Sequence, residues 1–543
     1  MFDADRFAMT PFTKFASLFV LTDAERAGFP NRLVDRQRPA LPQAWRTLVL
    51  LMLIALGPRL LVAVRIPTPC VDGTRFIGLA EAWQAGDLAP SIYNFNLYPP
   101  ILAGLHHCGL SWEAAAKVWG LICSVLTVLP LFGWIRRTFN DRVAVVGCLL
   151  YAGHSELVEW SPEMVRDQTF WLLFTTCLYC QWRAATEPGP LSYRHFFLVG
   201  WLLPLSAAVR FEGLFLLLPL LAWCRRRAAF SKAEGVRIRR GLIVFALVPA
   251  TLVALAVLFG GDQFRDRLLY LAPWRRVVVA WRSVFGAADV VTPAAILGED
   301  ARLVSSVLTL KFLTVLERGV DGLFALVLAI GFAANLRLFC RSDQRPILFV
   351  GLIIAAGIWV HLWFTGGASS RYSLPIVILG VRCAALGVMQ LGTWGGLFLA
   401  RTGYSRIIPL ATATWVLLAG WYSAATTDFT GRRVVAELGE RIRRDFGDDR
   451  IVVGCEEQLP LIGYYADARI VPLTWKAEPA LLLEEIVRAE ADIVVLPRRG
   501  TTPESLAAVR KRQSQLKLAE IDLADDPRLR DELVVLARTA LLR

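Results

Sequence analysis

Apolar residues gather along most of this chain into blocks about as long as a membrane-crossing helix, about 20 residues. Short polar stretches rich in arginine separate them. The blocks fall at 45–64, 116–135, 143–160, 168–185, 196–224, 241–260, 321–336, 347–364, 373–400 and 407–422. Phe196–Cys224 is interrupted by Arg210-Phe211-Glu212-Gly213. A charged pair in hydrocarbon is costly, so this block reads as two helices meeting near a membrane surface. The pattern predicts about eleven spans, range 9–13.

Beyond about residue 426 the pattern changes. Ile451-Val452-Val453-Gly454, Ile470-Val471-Pro472-Leu473 and Asp492-Ile493-Val494-Val495-Leu496 are short apolar runs bounded by turn residues. Helical patterns at 433–446, 480–489 and 503–515 alternate with them, which predicts a small α/β sheet. The expected fold class is a polytopic α-helical membrane protein with a small C-terminal α/β extracytoplasmic domain. Its expected parts are a cytoplasmic segment 1–44, a transmembrane domain 45–425 with long external loops 65–115 and 261–320, and a soluble domain 426–543.

Composition agrees. Hydrophobic residues make up 55% and mean hydropathy is +0.49, while 19% are charged against about 25% in soluble domains. The formal charge of +13 does not point to nucleic acid. From Gly431 onward 19 basic residues face 20 acidic ones, so the excess sits in the membrane part, mostly in short loops. Arg136/Arg137/Arg142, Arg225/Arg226/Arg227, Arg337/Arg341/Arg345 and Arg401/Arg406 fall on one side if eleven spans alternate, and that side is predicted to be cytoplasmic. The chain is then a multi-pass plasma (inner) membrane protein with a cytoplasmic N-terminus and an extracytoplasmic C-terminal domain. Arg275, Arg276 and Arg282 lie in the external 261–320 loop against this rule, which long loops obey weakly. Residues 1–44 are polar and mixed, unlike a signal peptide. Cys177 and Cys180 form a CxxC spacing inside an apolar block with no second pair, and read as small buried hydrophobes. Whether Cys70 and Cys108 of the first external loop pair is left open.

Charged residues at span ends carry a solvation cost and are functional candidates. Asp72 follows the first block. Tyr93, Asn96 and Tyr98 supply aromatic and amide groups suited to a sugar pocket. Residues 154–167 hold four carboxylates, among them Glu163 and Asp167; such a group suits a general base or a divalent cation. Arg210 and Glu212 break the fifth block. His361 precedes Arg371 and Tyr372, and Arg371 at the head of a span suits a phosphate, with planar donors and permanent charge. Snorkelling to lipid headgroups is the plain alternative for any one arginine.

These residues resemble the GT-C superfamily of polyprenyl-phosphate-sugar glycosyltransferases, on the protein O-mannosyltransferase and aminoarabinose transferase branch. The likeness rests on Asp72, Tyr98-Pro99-Pro100-Ile101-Leu102, Val118–Phe139 with Arg136-Arg137-Thr138-Phe139, Arg166-Asp167, Arg210-Phe211-Glu212-Gly213 and Ser370-Arg371-Tyr372-Ser373-Leu374-Pro375. It spans roughly residues 45–400. Many relatives have Asp-Glu where this chain has Asp72-Gly73, a departure that weakens the case for a bound metal. The resemblance implies inverting transfer from a polyprenyl-phosphate sugar to a protein, lipid or glycan acceptor outside the cytoplasm. Asp72 would act as general base or orient the acceptor, and Asp167 would support it or a cation. Arg371, Arg210 and Tyr372 would hold the donor phosphate, with Arg275 and Arg276 a weaker candidate, and Tyr93, Asn96, Tyr98, His361 and Glu163 would line the substrate pocket. A divalent cation is the one cofactor it leaves in view; membrane lipids are partners and nucleic acid is not. A transporter or flippase for a lipid-linked or polar substrate is the alternative, although no inverted repeat is visible; a structural membrane protein with a partner-binding tail is a third.

Overall fold

The computed structural model describes residues 41–86, 97–187, 191–259, 301–341, 343–365, 368–398, 404–454, 459–473, 479–497, 503–513, 515–521 and 533–541. Its membrane part comprises α1 (Leu41–Arg65), α2 (Val71–Gln84), α3 (Tyr98–His107), α4 (Trp112–Leu126), α5 (Val128–Thr138), α6 (Asp141–Gly153), α7 (Ser155–Glu159), α8 (Asp167–Thr186), α9 (Leu191–Val209), α10 (Leu217–Ala228), α11 (Lys232–Phe259), α12 (Ala301–Val320), α13 (Gly322–Ala334), α14 (Arg345–Thr365), α15 (Leu374–Phe398) and α16 (Tyr404–Thr426). Among the described residues Trp45–Arg65, Trp112–Thr138, Arg345–Leu362 and Ser370–Trp394 are both long and apolar enough to cross a membrane. The protein is a polytopic helical membrane protein.

Its main core runs between α5, α6, α8 and α15, where Trp134, Trp171, Phe170, Phe174 and Tyr151 are fully buried. Leucines such as Leu53, Leu352 and Leu418 face outward, as lipid-facing positions do. Backbones cross closely where α13 meets α15. A Cβ added at Gly331 would stand 1.9 Å from the Cys383 carbonyl oxygen, and one at Gly387 1.9 Å from that of Val327. Such small-residue crossings are how helices associate without a hydrophobic driving force. The buried Arg59 of α1 donates to the carbonyls of Ala152, at 2.9 Å, and Tyr151, at 3.1 Å. It satisfies acceptors that the end of α6 would otherwise leave open.

The tail begins with α17 (Thr430–Phe446), followed by β1 (Ile451–Gly454), α18 (Leu459–Ala466), β2 (Arg469–Pro472), α19 (Pro479–Arg488), β3 (Ile493–Pro497), α20 (Pro503–Lys511), β4 (Leu518–Glu520) and β5 (Leu533–Arg538). The sheet order is β2-β1-β3-β5-β4. β1 pairs in parallel with β2 and β3, while β5 runs antiparallel to β3 and β4. Val452, Ile493, Val495 and Val535 pack on one face with α17 and α18; Val453, Val494, Leu496 and Val534 pack on the other with α19. Covering both faces is why β1 and β3 read as apolar runs with no polar alternation.

Among the contacts that join tail and membrane part are two side-chain hydrogen bonds. The Tyr465 hydroxyl of α18 donates to Glu113 at 2.9 Å, and Arg432 of α17 reaches Glu163 at 2.6 Å. Burial and the Glu113 carboxylate push the Tyr465 phenol well above its usual range, so it stays a donor.

Candidate active site

Asp72 stands in the first turn of α2, which starts at Val71 and so takes in residues the sequence pattern leaves in the loop. The positive end of the helix dipole favours a carboxylate there. Gly73 has a local cause. A Cβ at this position would lie 2.9 Å from Met164 Cβ and 3.1 Å from Pro69 Cβ, so the loop preceding Asp167 can press against α2. A glutamate at residue 73 does not fit this packing.

Arg371 lies in the 3-10 turn Ser370–Ser373 that leads into α15. Its guanidinium hydrogen-bonds the Asp72 carboxylate, 299 residues away in sequence. The Arg371 side chain is 12% exposed and that of Asp72 35%. The guanidinium also lies over the rings of Trp160 and Tyr372, 5.4 Å from each centroid. The turn itself is fixed from two sides. Ser370 Oγ and Trp160 Nε1 both donate to Glu156 Oε2, at 2.7 and 2.9 Å. Gly319 of α12 approaches so closely that a Cβ there would collide with Ser373 Oγ.

A second ion pair adjoins the first. Arg210 donates to the Asp167 carboxylate at the head of α8, and both side chains are buried. The same guanidinium donates to Glu212 Oε1 at 2.6 Å and lies 5.1 Å from the Tyr372 ring centroid. Burial works against the Glu212 charge, but Arg210 holds the carboxyl below its usual range. Gly213 permits the tight turn; its Cβ would meet the Ala207 nitrogen at 2.5 Å. Arg166 completes the group, with its guanidinium 6.0 Å from the Phe76 ring, and burial followed by the nearby Arg210 charge pulls it below the usual arginine range.

Asp72, Asp167, Arg210, Arg371 and Tyr372 therefore come together, and His361 of α14 joins them at the edge, its ring 5.3 Å from that of Tyr372. Two expected pocket residues stand elsewhere. Tyr98 is fully buried beside Phe76, ring centroids 5.3 Å apart, where it is core and not a pocket wall. Glu163 is buried and taken up by Arg432 of the tail. Tyr93, Asn96, Arg275 and Arg276 lie outside the described residues. Glu156 and Ser370 lie in stretches the sequence singles out, whereas Trp160 and Arg432 were not foreseen as partners. Trp160 sits in the carboxylate-rich 154–167 segment, but its ring contact depends on a fold that brings residue 371 to it. Cys70 and Cys108 are both free thiols, the first buried and the second exposed.

A divalent cation does not fit these side chains. Asp72 and Asp167 are each occupied by an arginine, and no three His, Cys, Asp or Glu side chains gather to hold a metal ion among the described residues.

Residues 106–270 match the family model described as dolichyl-phosphate-mannose-protein mannosyltransferase. That segment carries Arg166-Asp167 and Arg210–Gly213 and leaves Asp72 and Arg371 outside. The chain is similar in structure to ArnT from Cupriavidus metallidurans bound to undecaprenyl phosphate, with a TM-score of 0.58, 12% identity, and coverage of 92% of this chain and 98% of that one. The fold is that of the GT-C glycosyltransferases. The oligosaccharyltransferase of Archaeoglobus fulgidus, solved with Zn and sulfate, is similar to it with a TM-score of 0.54 and 15% identity, over 85% of this chain and 69% of that one. No curated protein matches. The GT-C resemblance read from the motifs holds, and the enzyme class these findings support is a glycosyltransferase using a lipid-linked sugar donor.

Proposed function

We propose that this GT-C chain transfers a sugar, with inversion, from a polyprenyl-phosphate donor to an acceptor hydroxyl or amine at the extracytoplasmic face. The observation that carries the reading is the ion pair between Asp72 and Arg371, set beside the Asp167–Arg210–Glu212 network. Without donor, Arg371 is neutralised by Asp72. The donor phosphate competes for the same guanidinium and leaves Asp72, the more exposed partner, free to take a proton. The acceptor heteroatom then attacks the anomeric carbon, its proton passes to Asp72, and the sugar–phosphate bond breaks with the electron pair going to the phosphate. Arg371 stabilises the charge that develops on the leaving group.

Asp167 is buried and committed to Arg210. Its role is to hold Arg210 in place, with Arg210 lending positive potential beside Tyr372. His361 and Tyr372 border the donor side. The orientation places this site and the tail outside and the arginine-rich helix ends in the cytoplasm, supported by the asymmetry of the short loops. Transfer from a polyprenyl-phosphate sugar by purified protein, compared with Asp72→Asn, is the direct test. An unchanged rate in that variant removes Asp72 as the base.

A further inference from the structure

The segment from Trp160 to Arg166 joins α7 to α8, and much of the site hangs on it. The Trp160 ring lies against the Arg371 guanidinium, Asp167 at its end holds Arg210, and Met164 abuts Gly73 beside Asp72. The turn is tied together by its own polar groups. Gln168 Nε2 donates to the carbonyls of Trp160 and Glu163, the second at 3.0 Å, and the Val165 amide donates to the Glu163 carbonyl at 2.8 Å. The backbone of Glu163 is therefore a fixed part of the turn.

The Glu163 side chain is engaged by the tail. It is buried, and Arg432 in the first turn of α17 donates to Oε1 at 2.6 Å. The second oxygen, Oε2, is buried without a hydrogen-bond partner. A buried carboxylate with one cation is held firmly, because parting from it leaves an uncompensated charge. Tyr464 of α18 meets the same region, packed against the cluster that includes Cys70, Phe76, Met164 and Val165. The tail thus bears on the turn from two of its helices.

We propose that Arg432 is a positioning residue for the donor phosphate: by holding Glu163 it fixes the turn that sets Trp160 and, through Asp167, Arg210 beside Arg371. It acts through the turn and not on the phosphate itself. The inference rests on the assignment of Arg371 to the donor phosphate made above, and adds the tail to the framework of that site.

The test is made in the full chain carrying Asp72→Asn, which removes the charge that competes with phosphate for Arg371. Undecaprenyl phosphate is titrated into the purified protein in neutral detergent, with folding checked by circular dichroism. Arg432→Gln should weaken binding about fivefold, the conversion of about 1 kcal/mol for a guanidinium–ring contact, and Arg432→Lys should lose less. Glu163→Leu removes the same link without stranding a buried charge, since the Arg432 side chain is 33% exposed and passes to water. It should also lose about fivefold, which keeps the test decisive if Arg432→Gln folds poorly. Tyr465→Phe breaks the tail contact to Glu113 and should bind as the parent does. A tail that merely docks predicts lower unfolding midpoints with parental affinity in the folded protein. Parental affinity in Arg432→Gln and Glu163→Leu, or an equal loss in Tyr465→Phe, overturns the proposal. Arg371→Ala in the same background separates this inference from the reading beneath it. If Arg371→Ala also binds as the parent, the donor assignment has failed; if it alone loses affinity, only the role of Arg432 has.

Discussion

Asp72→Asn separates the two jobs assigned to this residue. The substitution keeps the shape and leaves an amide oxygen to accept from Arg371, but removes the negative charge. Arg371 is 12% exposed, while the Asp72 side chain is 35% exposed and its charge is partly screened by solvent. The lost charge assistance is therefore worth about 1 kcal/mol, and the protein is expected to fold. Turnover should fall by about 10²-fold or more, because Asp167 is committed to Arg210 and Glu156 to Ser370 and Trp160. Donor affinity should move the other way. In the wild type the phosphate must displace a carboxylate from Arg371; in Asp72→Asn it meets an uncompensated guanidinium. Recovering about 1 kcal/mol tightens binding by roughly fivefold. Polyprenyl-phosphate binding and single-turnover sugar transfer, measured on the same preparation, read both effects. Weaker donor binding together with normal turnover would refute the competition between Asp72 and phosphate.

Other consequences follow from the packing. Arg432→Ala leaves the buried Glu163 carboxylate without its cation and should cost about 3 kcal/mol, with Arg432→Lys restoring part of it; thermal unfolding in detergent measures both, and equal midpoints would show that the tail contact is unimportant. Gly387→Leu puts a side chain against the Val327 carbonyl, where backbone cannot give way easily, and should destabilise by about 3 kcal/mol or more. A cysteine at the exposed Glu504 position, in a background with Cys108, Cys340 and Cys455 replaced by serine, should react with an impermeant thiol reagent on intact cells; labelling only after lysis would reverse the proposed orientation.

The membrane character was legible because apolar blocks advertise their length, and Asp72, Asp167, Arg210 and Arg371 stood out because charge beside apolar helices is costly. What no periodicity carries is distance. Glu163 looked like a pocket acid, yet its partner Arg432 is 269 residues onward, in the tail domain. Tyr98 looked like a sugar-stacking ring because it stands in a loop stretch of aromatic and amide groups; the fold turns it into the core against Phe76. Gly73 read as a missing glutamate, whereas the contact with Met164 accounts for it as a packing requirement. In the tail, β1, β2 and β3 coincide with the three runs singled out from the sequence. β5 is equally apolar but antiparallel and was passed over, and β4 is only Leu518–Glu520, too short to show alternation.

The most direct test of the account is donor binding by an Arg371 series. Lysine supplies charge without the paired planar donors, and alanine supplies neither. Purified wild type, Arg371→Lys and Arg371→Ala are titrated with polyprenyl phosphate in detergent, with folding checked by circular dichroism. A phosphate held by Arg371 predicts that Arg371→Lys keeps part of the affinity and that Arg371→Ala loses about 1.5–3 kcal/mol, roughly ten- to a hundredfold. Equal affinity in all three folded proteins would contradict the assignment of the donor phosphate to this site.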